Sequence, residues 1–306
     1  MNTDAPIVLA GGSGFLGMNL ARSLTQQGTP VIILSRSQPE QGAWIWNQWD
    51  GTTLGDWAHA IDGARAVVNF SGKSIDCVPT PKNKELIISS RVDSTRVLAE
   101  AVASASNPPS VWVQMSAVGI YGNTTNPAPE STPAGDGFLP EVCTKWEAAF
   151  KESCPESIRP VVLRAGVVLG RTDGAFPTLR KLAKLGLGGT VGKGTQGMSW
   201  IHEVDMDALL QRAITDDSMQ GVYNATAPHP ASNFQFMHAL RKAVGMPFGP
   251  PAPGFAVRLG SRYILKSNPD LALEGQFAVP KRIMDQHHEF TFPTLKDALT
   301  DLCAPR

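Results

Sequence analysis

Near its start the chain reads Gly11-Gly12-Ser13-Gly14-Phe15-Leu16-Gly17, between an apolar run over 6–10 and a helical pattern over 15–27. Glycines at Gly-x-x-Gly-x-x-Gly spacing between a strand and a helix are typical of a turn that binds a pyrophosphate. Gly11 allows the tight turn, Gly14 admits the phosphates, and Gly17 lets the helix pack against the strand. Free N–H groups at the helix N-terminus favour negative charge. A bare structural turn is the alternative. The motif predicts a dinucleotide site that includes Gly11, Ser13, Gly14, Phe15, Leu16 and Gly17.

The second apolar run, over 30–35, ends in Ser35-Arg36-Ser37. Sites for NAD usually have an acidic residue here, which binds the ribose 2′-hydroxyl. A guanidinium with neighbouring hydroxyls suits a 2′-phosphate instead, because Arg pairs with phosphate oxygens. The sequence therefore predicts NADP(H), with Ser35 and Arg36 at the 2′-phosphate. An ordinary solvated arginine is the alternative for Arg36.

Apolar runs continue to alternate with helical patterns through the first half, which predicts a parallel sheet covered by helices on both faces. In such a sheet, ligands lie beyond the carboxyl ends of the strands. Asn69, Ser71 and Gly72 stand at the end of the fourth run, and Ser116 stands at the end of the fifth, so we expect them at the cofactor. The further strands are expected over 43–49, 64–70, 111–115 and 159–163, with helices over 84–105 and 139–152.

The second half is less regular and predicts a smaller C-terminal α+β lobe that binds substrate. A glycine-rich loop over 186–197 is expected to cover the substrate pocket. Near the end, 289–292 is expected as a strand and 295–302 as a helix. The predicted fold class is α/β, a Rossmann doubly wound parallel sheet with this smaller lobe. We expect the Rossmann domain over 1–170, with 200–227 packing back on it, and the substrate lobe over 171–199 and 228–306.

Composition excludes several classes of function. Lys plus Arg number 27 and Asp plus Glu number 27, so the charge gives no reason to expect nucleic acid or an anionic membrane as a partner. No run approaches the roughly 18 apolar residues of a spanning helix, and because the first strand begins close to the start we expect no signal peptide. The 4 cysteines show no Cys-x-x-Cys spacing, and no His/Cys cluster indicates a metal. We expect a cytoplasmic protein with reduced thiols and a small-molecule substrate; a homodimer is an option.

Several stretches resemble the short-chain dehydrogenase/reductase superfamily, in its extended, epimerase-like branch. Besides the glycine turn, they are Asn69-Phe70-Ser71-Gly72, Ser116 followed by Tyr121-Gly122, and 199–205, which reads Ser-Trp-Ile-His-Glu-Val-Asp. The sequence is more narrowly similar to an atypical subgroup of NAD(P)-dependent epimerase/dehydratase-like proteins. That likeness is carried by Ser90-Arg91-Val92, Cys143-Thr144-Lys145-Trp146-Glu147, 163–170, the glycines of 188–194, and Asn224-Ala225-Thr226-Ala227-Pro228.

The resemblance implies a Rossmann fold, an NADP(H) cofactor and a redox change at a carbonyl or alcohol carbon. It also adds Arg164, in the stretch 163–170, to the cofactor site. In the superfamily a Tyr-x-x-x-Lys pair on the helix after the fifth strand transfers the proton. Here the best-aligned positions are Cys143 and Glu147, and none of the 3 tyrosines is followed by Lys four residues on. The atypical subgroup lacks the pair as well.

Three residues are therefore the candidates for chemistry. Ser116 could donate to a substrate carbonyl, and Tyr121 or Glu147 could move the proton. The alternatives are a turn serine, a tyrosine that only lines the pocket, and a glutamate ion-paired with Lys145 or Arg164. Around them, Gln196 and Trp200 are expected to line the substrate pocket, with His202 ordering the loop before the next helix.

Two functions follow from these candidates. The first is an NADP-dependent epimerase, dehydratase or reductase, favoured by Ser116 and the pocket loops. The second is a non-catalytic NADP(H)-binding redox sensor or partner-binding protein, favoured by the missing Tyr-x-x-x-Lys pair.

Overall fold

A parallel seven-stranded sheet forms the centre of the protein in a computed structural model, which describes residues 5–305. The strands are β1 Ile7–Ala10, β2 Val31–Ser35, β3 Ile45–Gln48, β4 Ala66–Asn69, β5 Val111–Ala117, β6 Pro127–Ala128, β7 Arg159–Ala165, β8 Val167–Leu169, β9 Gly197–Met198, β10 Trp200–His202, β11 Gly221–Ala225, β12 Ala231–Ser232 and β13 Phe277–Ala278. The helices are α1 Phe15–Gln26, α2 Pro81–Ser104, α3 Phe138–Ser153, α4 Phe176–Lys184, α5 Glu203–Thr215, α6 Asn233–Ala243, α7 Gly254–Gly260, α8 Asp270–Leu273, α9 Lys281–Asp285 and α10 Leu295–Cys303.

The strand order of the sheet is β11-β7-β5-β4-β1-β2-β3, and every neighbouring pair is parallel. The chain therefore builds the sheet outwards from β1 in one direction through β3, then resumes on the other side of β1 with β4. Ligands of doubly wound sheets bind where the order reverses in this way, beyond the carboxyl ends of the strands. Here that place lies between the ends of β1 and β4, directly beside the glycine turn. The predicted fold class is confirmed.

Alternating residues of the strands fill two layers of core. Ile7 and Leu9 of β1 belong to the layer that contains residues of α1 and α5, whereas Val8 and Ala10 face the layer that contains residues of α2. Each fully buried Val, Leu or Ile side chain stabilises the fold by about 1.5–3 kcal/mol. Because both faces are covered, the strands read as continuous apolar runs.

A third core cluster lies outside the sheet. It joins α4, α6 and α10 through residues such as Phe176, Phe236 and Leu299. Trp200 of β10 is fully buried in the same cluster, and its indole Nε1 donates to His229 O at 3.1 Å. Within residues 5–305, none of the helices combines the length and the hydropathy that a membrane span requires.

The segment from β13 to α9 returns to the main sheet. Ala278 pairs with Ala128 of β6, and Ile283 is fully buried in the core layer of α1 and α5. The segment therefore contributes to the sheet core, and the substrate lobe over 171–199 and 228–306 stays a prediction.

Most predicted elements agree with the structure to within a few residues, with two informative differences. The strand expected over 289–292 was wrong, because the N–H groups of Thr291 and Phe292 donate to the Asp205 carboxylate, at 2.7 and 3.0 Å. Helix α2 begins at Pro81 instead of residue 84, since Thr80 caps it by accepting from Asn83 N. Proline is well suited to a first helical position, where its missing N–H has no intrahelical partner.

Candidate functional site

The glycines of the turn after β1 meet different surroundings. Gly11 has φ +69°, and a Cβ placed on it would lie 2.8 Å from Ser71 Oγ. A Cβ on Gly17 would lie 2.4 Å from Gly12 O, so the start of α1 packs directly on the turn. Gly14 differs, because the nearest atom to a Cβ there would be Gly11 O at 4.0 Å. The space in front of Gly14, at the N-terminus of α1, is therefore open to a ligand.

The other predicted residues of the turn contribute mainly through their backbone. Ser13 is exposed and Leu16 packs against the core layer of α1. The Phe15 ring packs on the loop after β8, where a Cβ on Gly170 would lie 2.4 Å from its Cζ. The Phe15 side chain thus positions α1 against the second half of the chain.

The two residues predicted at a 2′-phosphate differ in availability. The Ser35 hydroxyl is buried, donates to Ser37 O at 2.8 Å and accepts from Trp46 Nε1 at 3.0 Å. Its bonding capacity is taken up by the protein, which speaks against Ser35 as a phosphate ligand. Arg36 is exposed at the rim of an open pocket of about 710 Å³, whose lining includes Trp49 and Trp57. Of the two side chains, Arg36 stays the predicted ligand of a 2′-phosphate.

Two polar side chains at the end of β4 differ in their hydrogen bonding: Asn69 has partners within the protein and Ser71 Oγ has none among the described residues. Asn69 is fully buried; its Nδ2 donates to Gln114 Oε1 at 3.1 Å and its Oδ1 accepts from Ser71 N at 3.0 Å. Asn69 thus shapes the loop. Ser71 Oγ is buried beside Gly11 and has no hydrogen-bond partner among the described residues. An unpaired buried hydroxyl at this position fits a group that the protein itself does not supply.

Ser116, Glu147 and Arg164 form a buried ion-pair network at the end of β5. The strand register places Ser116 beside Arg164, and Glu147 reaches both from α3. The Arg164 Nε and Nη2 donate to the two carboxylate oxygens of Glu147 at 2.8 Å each, and Ser116 Oγ donates to Oε1 at 2.6 Å. The Glu147 side chain is 15% exposed and that of Arg164 10%. The Glu147 carboxylate, held by two guanidinium nitrogens of Arg164, also accepts the hydrogen bond of the Ser116 hydroxyl, so Ser116 offers a ligand only its lone pairs. This differs from the expectation that Ser116 donates to a carbonyl.

Tyr121 is built into the same network. Its hydroxyl donates to Asn224 Oδ1 at 2.8 Å and accepts from Arg164 Nη1 at 3.0 Å. Asn224 in turn donates to Ala128 O and Val279 O, at 3.1 and 2.9 Å. Burial raises the pKa of Tyr121, whose residue is 4% exposed. This arrangement speaks against Tyr121 as the proton donor and against Arg164 as a cofactor ligand, because each is occupied inside the protein.

The positions of the missing Tyr-x-x-x-Lys pair therefore hold a thiol and an ion-paired carboxylate. Cys143 is buried, and burial raises the pKa of its thiol to about 11. The thiol is neutral near pH 7 and is a weak acid. Glu147 is bonded to Ser116 at the end of β5, and Cys143 lies beside the backbone of Ala117 at the same strand end.

The second lobe forms a smaller pocket with the loop after β5. Its volume is about 270 Å³, and its lining includes Asn123, Lys193, Gln196 and Arg258. Gln196 lies there as expected, although its Nε2 donates to Val191 O and Ala272 O. The expectation for Trp200 was wrong, since that side chain is buried in the third core cluster. No cluster of metal-ligating side chains occurs within residues 5–305.

Comparison with known proteins identifies the family. Residues 7–226 match the model of the NAD dependent epimerase/dehydratase family, and residues 252–302 match a domain of unknown function, DUF1731. The chain belongs to the NAD-dependent epimerase/dehydratase family. The epimerase family protein SDR39U1 of Mus musculus is 35% identical over an alignment of 309 residues that covers 97% of this chain and 99% of that protein. Epimerase family protein YfhF of Bacillus subtilis is 34% identical over 308 residues, 98% of each.

A solved relative also carries a cofactor. Human SDR39U1, isoform 2, was crystallised with NADPH; its TM-score to this chain is 0.85 at 31% identity, over 97% of this chain and 99% of that one. The cofactor in that structure agrees with the prediction of NADP(H) for this family member.

Sequence reasoning assigned no role to Asn224, and it treated Arg91, with Lys82 and Lys84, as a helix cation that could face a phosphate or simply lie on a solvated helix face. Asn224 closes the network around Tyr121, and Arg91 reaches from α2 towards the end of β4. Both lie in stretches that carry the family resemblance, which was the available signal. Arg91 is a charged residue with a long apolar stem, so from sequence it is indistinguishable from a solvent-exposed helix residue. Only the tertiary packing shows that it is half-buried.

Proposed function

We propose that this chain binds NADP(H) at the turn after β1 and is an epimerase/dehydratase-like oxidoreductase that acts on an alcohol or carbonyl carbon. The open space before Gly14, beside the unpaired Ser71 hydroxyl, is the observation that carries the cofactor half of the proposal. NADPH in the human relative supports it. Main-chain N–H groups at the start of α1 would hold the pyrophosphate, Ser71 would donate nearby, and Arg36 would pair with the 2′-phosphate.

The chemistry is proposed for the end of β5. When bound, the nicotinamide supplies exchange of a hydride with a substrate carbon. Ser116 accepts a hydrogen bond from a substrate hydroxyl, since its own proton is directed to Glu147. A substrate proton that moves to Ser116 Oγ lets the serine proton move to Glu147, which Arg164 holds in place. The arrangement favours an alcohol as the group first engaged.

A non-catalytic NADP(H)-binding protein is the second candidate. The bidentate ion pair between Arg164 and Glu147 favours it, because both carboxylate oxygens of Glu147 already accept hydrogen bonds from within the protein. The two candidates differ in whether the bound cofactor changes its redox state.

The test is turnover by the intact chain. Protein with NADP⁺ is incubated with an alcohol library, and protein with NADPH with carbonyl and nucleotide-sugar libraries, while nicotinamide absorbance is followed. We expect turnover with an alcohol, and a loss of about 10²–10⁴-fold in Ser116→Ala at unchanged cofactor affinity. Ser153→Ala, at the far end of α3, is the matched control. If the wild-type protein binds NADPH but shows no turnover with the alcohol, carbonyl or nucleotide-sugar libraries, the non-catalytic function is favoured over the enzymatic one.

A further inference from the structure

The charged residues are unevenly distributed along the chain. Over the whole sequence, 27 Lys and Arg balance 27 Asp and Glu. The stretches 174–202 and 218–269, however, contain nine Lys or Arg and no Asp or Glu. The two stretches run side by side, because Gly192 N donates to Ala252 O at 2.9 Å and Ala252 N donates to Thr190 O at 2.8 Å. A local excess of positive charge indicates an anionic partner that the balanced total does not reveal.

Helix α7, inside the second of these stretches, has no buried residue. A π-helical turn over Ser261–Leu265 continues it. Four large apolar side chains of this segment are 56–81% exposed: Phe255, Leu259, Tyr263 and Ile264. A helix of 7 residues is marginal in water, and helices normally gain stability by packing an apolar face. The exposed apolar side chains of this segment therefore indicate a partner surface outside the chain.

Cations form a second row along the same segment. Three exposed cations are spaced four residues apart: Arg258, Arg262 and Lys266. Each follows, by three residues, one of the exposed apolar residues at 255, 259 and 263, and residues three or four apart are neighbours on a helix surface. Arg258 pairs with Asp270 at 3.3 Å, whereas no carboxylate within residues 5–305 forms an ion pair with Arg262 or Lys266. A row of cations thus borders a row of large apolar side chains.

The end of α4 repeats this combination. Leu185 and Leu187 are exposed on either side of Gly186, where a Cβ would lie 3.4 Å from Phe248 Cδ1. Phe248 is exposed as well, and so is Lys184, the last residue of α4. We use the name α7 surface for α7, the π-helical turn that follows it and this cluster at the end of α4.

We propose that the α7 surface docks on an anionic phospholipid membrane. The cations would pair with lipid phosphates, and the apolar side chains would enter the boundary between headgroups and acyl chains. Nucleic acid is a poorer match, because phosphate contacts use cations, whereas Leu259 and Ile264 gain only from an apolar environment. A second copy docked face to face would bring cations against cations. The inference does not rest on the proposed cofactor site or on turnover.

Co-sedimentation of the full chain with vesicles tests the proposal. One set of vesicles contains phosphatidylcholine alone, and the other contains equal parts of phosphatidylcholine and phosphatidylglycerol. We expect binding to the second set only, and weaker binding as the ionic strength rises, because salt screens exposed charges. In Leu259→Ser/Ile264→Ser and in Arg262→Gln/Lys266→Gln, the affinity for these vesicles should fall by about tenfold or more.

Variants of exposed residues elsewhere are the matched controls. Ile45→Ser, on β3, and Arg96→Gln/Lys296→Gln, on α2 and α10, remove the same kinds of side chain. Both should bind the vesicles within about twofold of the wild type, since their positions lie outside the α7 surface. All of the variants should keep the urea-unfolding transition of the wild type, because the replaced side chains are exposed.

Three results would overturn the proposal. The first is no binding to phosphatidylglycerol vesicles at low ionic strength, or binding that the control variants weaken as much as the α7 variants do. The second is binding of duplex DNA that requires Arg262 and Lys266, with vesicle binding that is insensitive to Leu259→Ser/Ile264→Ser, which would assign the surface to nucleic acid. The third is a dimer in sedimentation velocity that Leu259→Ser/Ile264→Ser abolishes, without vesicle binding, which would assign the surface to a second copy of the chain.

Discussion

Gly14 and Gly17 are three positions apart, yet glycine is needed at each for a different reason. At Gly17 a side chain would strike the backbone of Gly12, so the requirement is one of packing. At Gly14 the protein leaves the space empty and φ is −85°, which any residue can adopt. The sequence motif alone predicted both glycines, but only the structure separates the requirement of the fold from that of a ligand.

This separation gives a prediction for Gly14→Val. The variant should fold with a stability close to that of the wild type, because no protein atom lies within 4 Å of the new Cβ except Gly11 O at 4.0 Å. Its affinity for NADPH, measured by fluorescence titration, should fall by about tenfold or more. The valine side chain would occupy the space in which the pyrophosphate makes charge-assisted hydrogen bonds with the main-chain N–H groups.

Two glycine variants serve as controls for that prediction. Gly260→Val, in α7 with no neighbouring atom within 4 Å, should retain both stability and affinity, whereas Gly17→Val should destabilise the fold. Normal NADPH binding by folded Gly14→Val would show that the phosphates lie elsewhere.

Single residues were predictable from sequence only where a local pattern determines their role. The glycine turn could be read this way, whereas the role of Arg36 stays a prediction. Tyr121 and Arg164 could not be read this way, because their partners, Asn224 of β11 and Glu147 of α3, are distant in sequence and are brought together only by the fold. A sequence shows which side chains can bond, but not which acceptors the fold places beside them.

At the level of single elements, helix α5 shows how a cap can depend on protonation. His202 precedes the helix, and its Nδ1 accepts from Val204 N at 3.1 Å. Its Nε2 lies 3.2 Å from Asp301 Oδ2, so the ring is satisfied as the neutral tautomer with hydrogen on Nε2. Protonation would place a second hydrogen against the Val204 N–H. The sequence predicted that His202 orders this loop, and the structure shows the cap that does so.

The cap gives a prediction for stability against pH. Burial lowers the pKa of His202 below its ordinary value of 6.5, although Asp301 opposes the effect. The unfolded chain therefore binds more protons below pH 6.5, so the stabilisation is complete above that pH and is lost as the pH falls towards the lowered pKa. Urea unfolding of the wild type should give a smaller free energy at pH 5.5 than at pH 7.5.

In His202→Asn, which retains a good capping residue, this pH dependence should be weaker, even if the variant is less stable overall. A residual slope is expected from His288, whose pKa burial also lowers. An unchanged slope in His202→Asn would remove His202 as the titrating group.

Over the whole molecule, packing crosses the boundary between the two matched sequence families. The first match ends at residue 226 and the second begins at 252, which suggests two independent units. In the structure, Ile283 fills the main core layer, and Asn224 of β11 donates to Val279 O. The alternation of strands and helices was enough to predict the doubly wound sheet, but 277–285 forms only short elements whose return to the sheet has no periodic signal.

This coupling predicts that a chain ending at residue 226 does not fold cooperatively. Losing Ile283 opens a cavity in the main core, a change that typically costs about 2–5 kcal/mol for a single large aliphatic side chain. The same truncation leaves the buried Asn224 amide without Val279 O and removes the partner of Ala128 in β6. Total stabilities of about 5–15 kcal/mol leave little room for these combined losses.

Near-ultraviolet circular dichroism and urea unfolding would check this against a chain ending at residue 286, which keeps β13 and α9 but lacks α10. The chain that ends at residue 286 should retain a cooperative transition of the sheet, because Ile283 and Val279 are present. Its third core cluster loses Leu299. A cooperative transition with NADPH binding in the chain of 226 residues would show that the sheet domain is independent, and that 277–285 contributes packing the fold does not require.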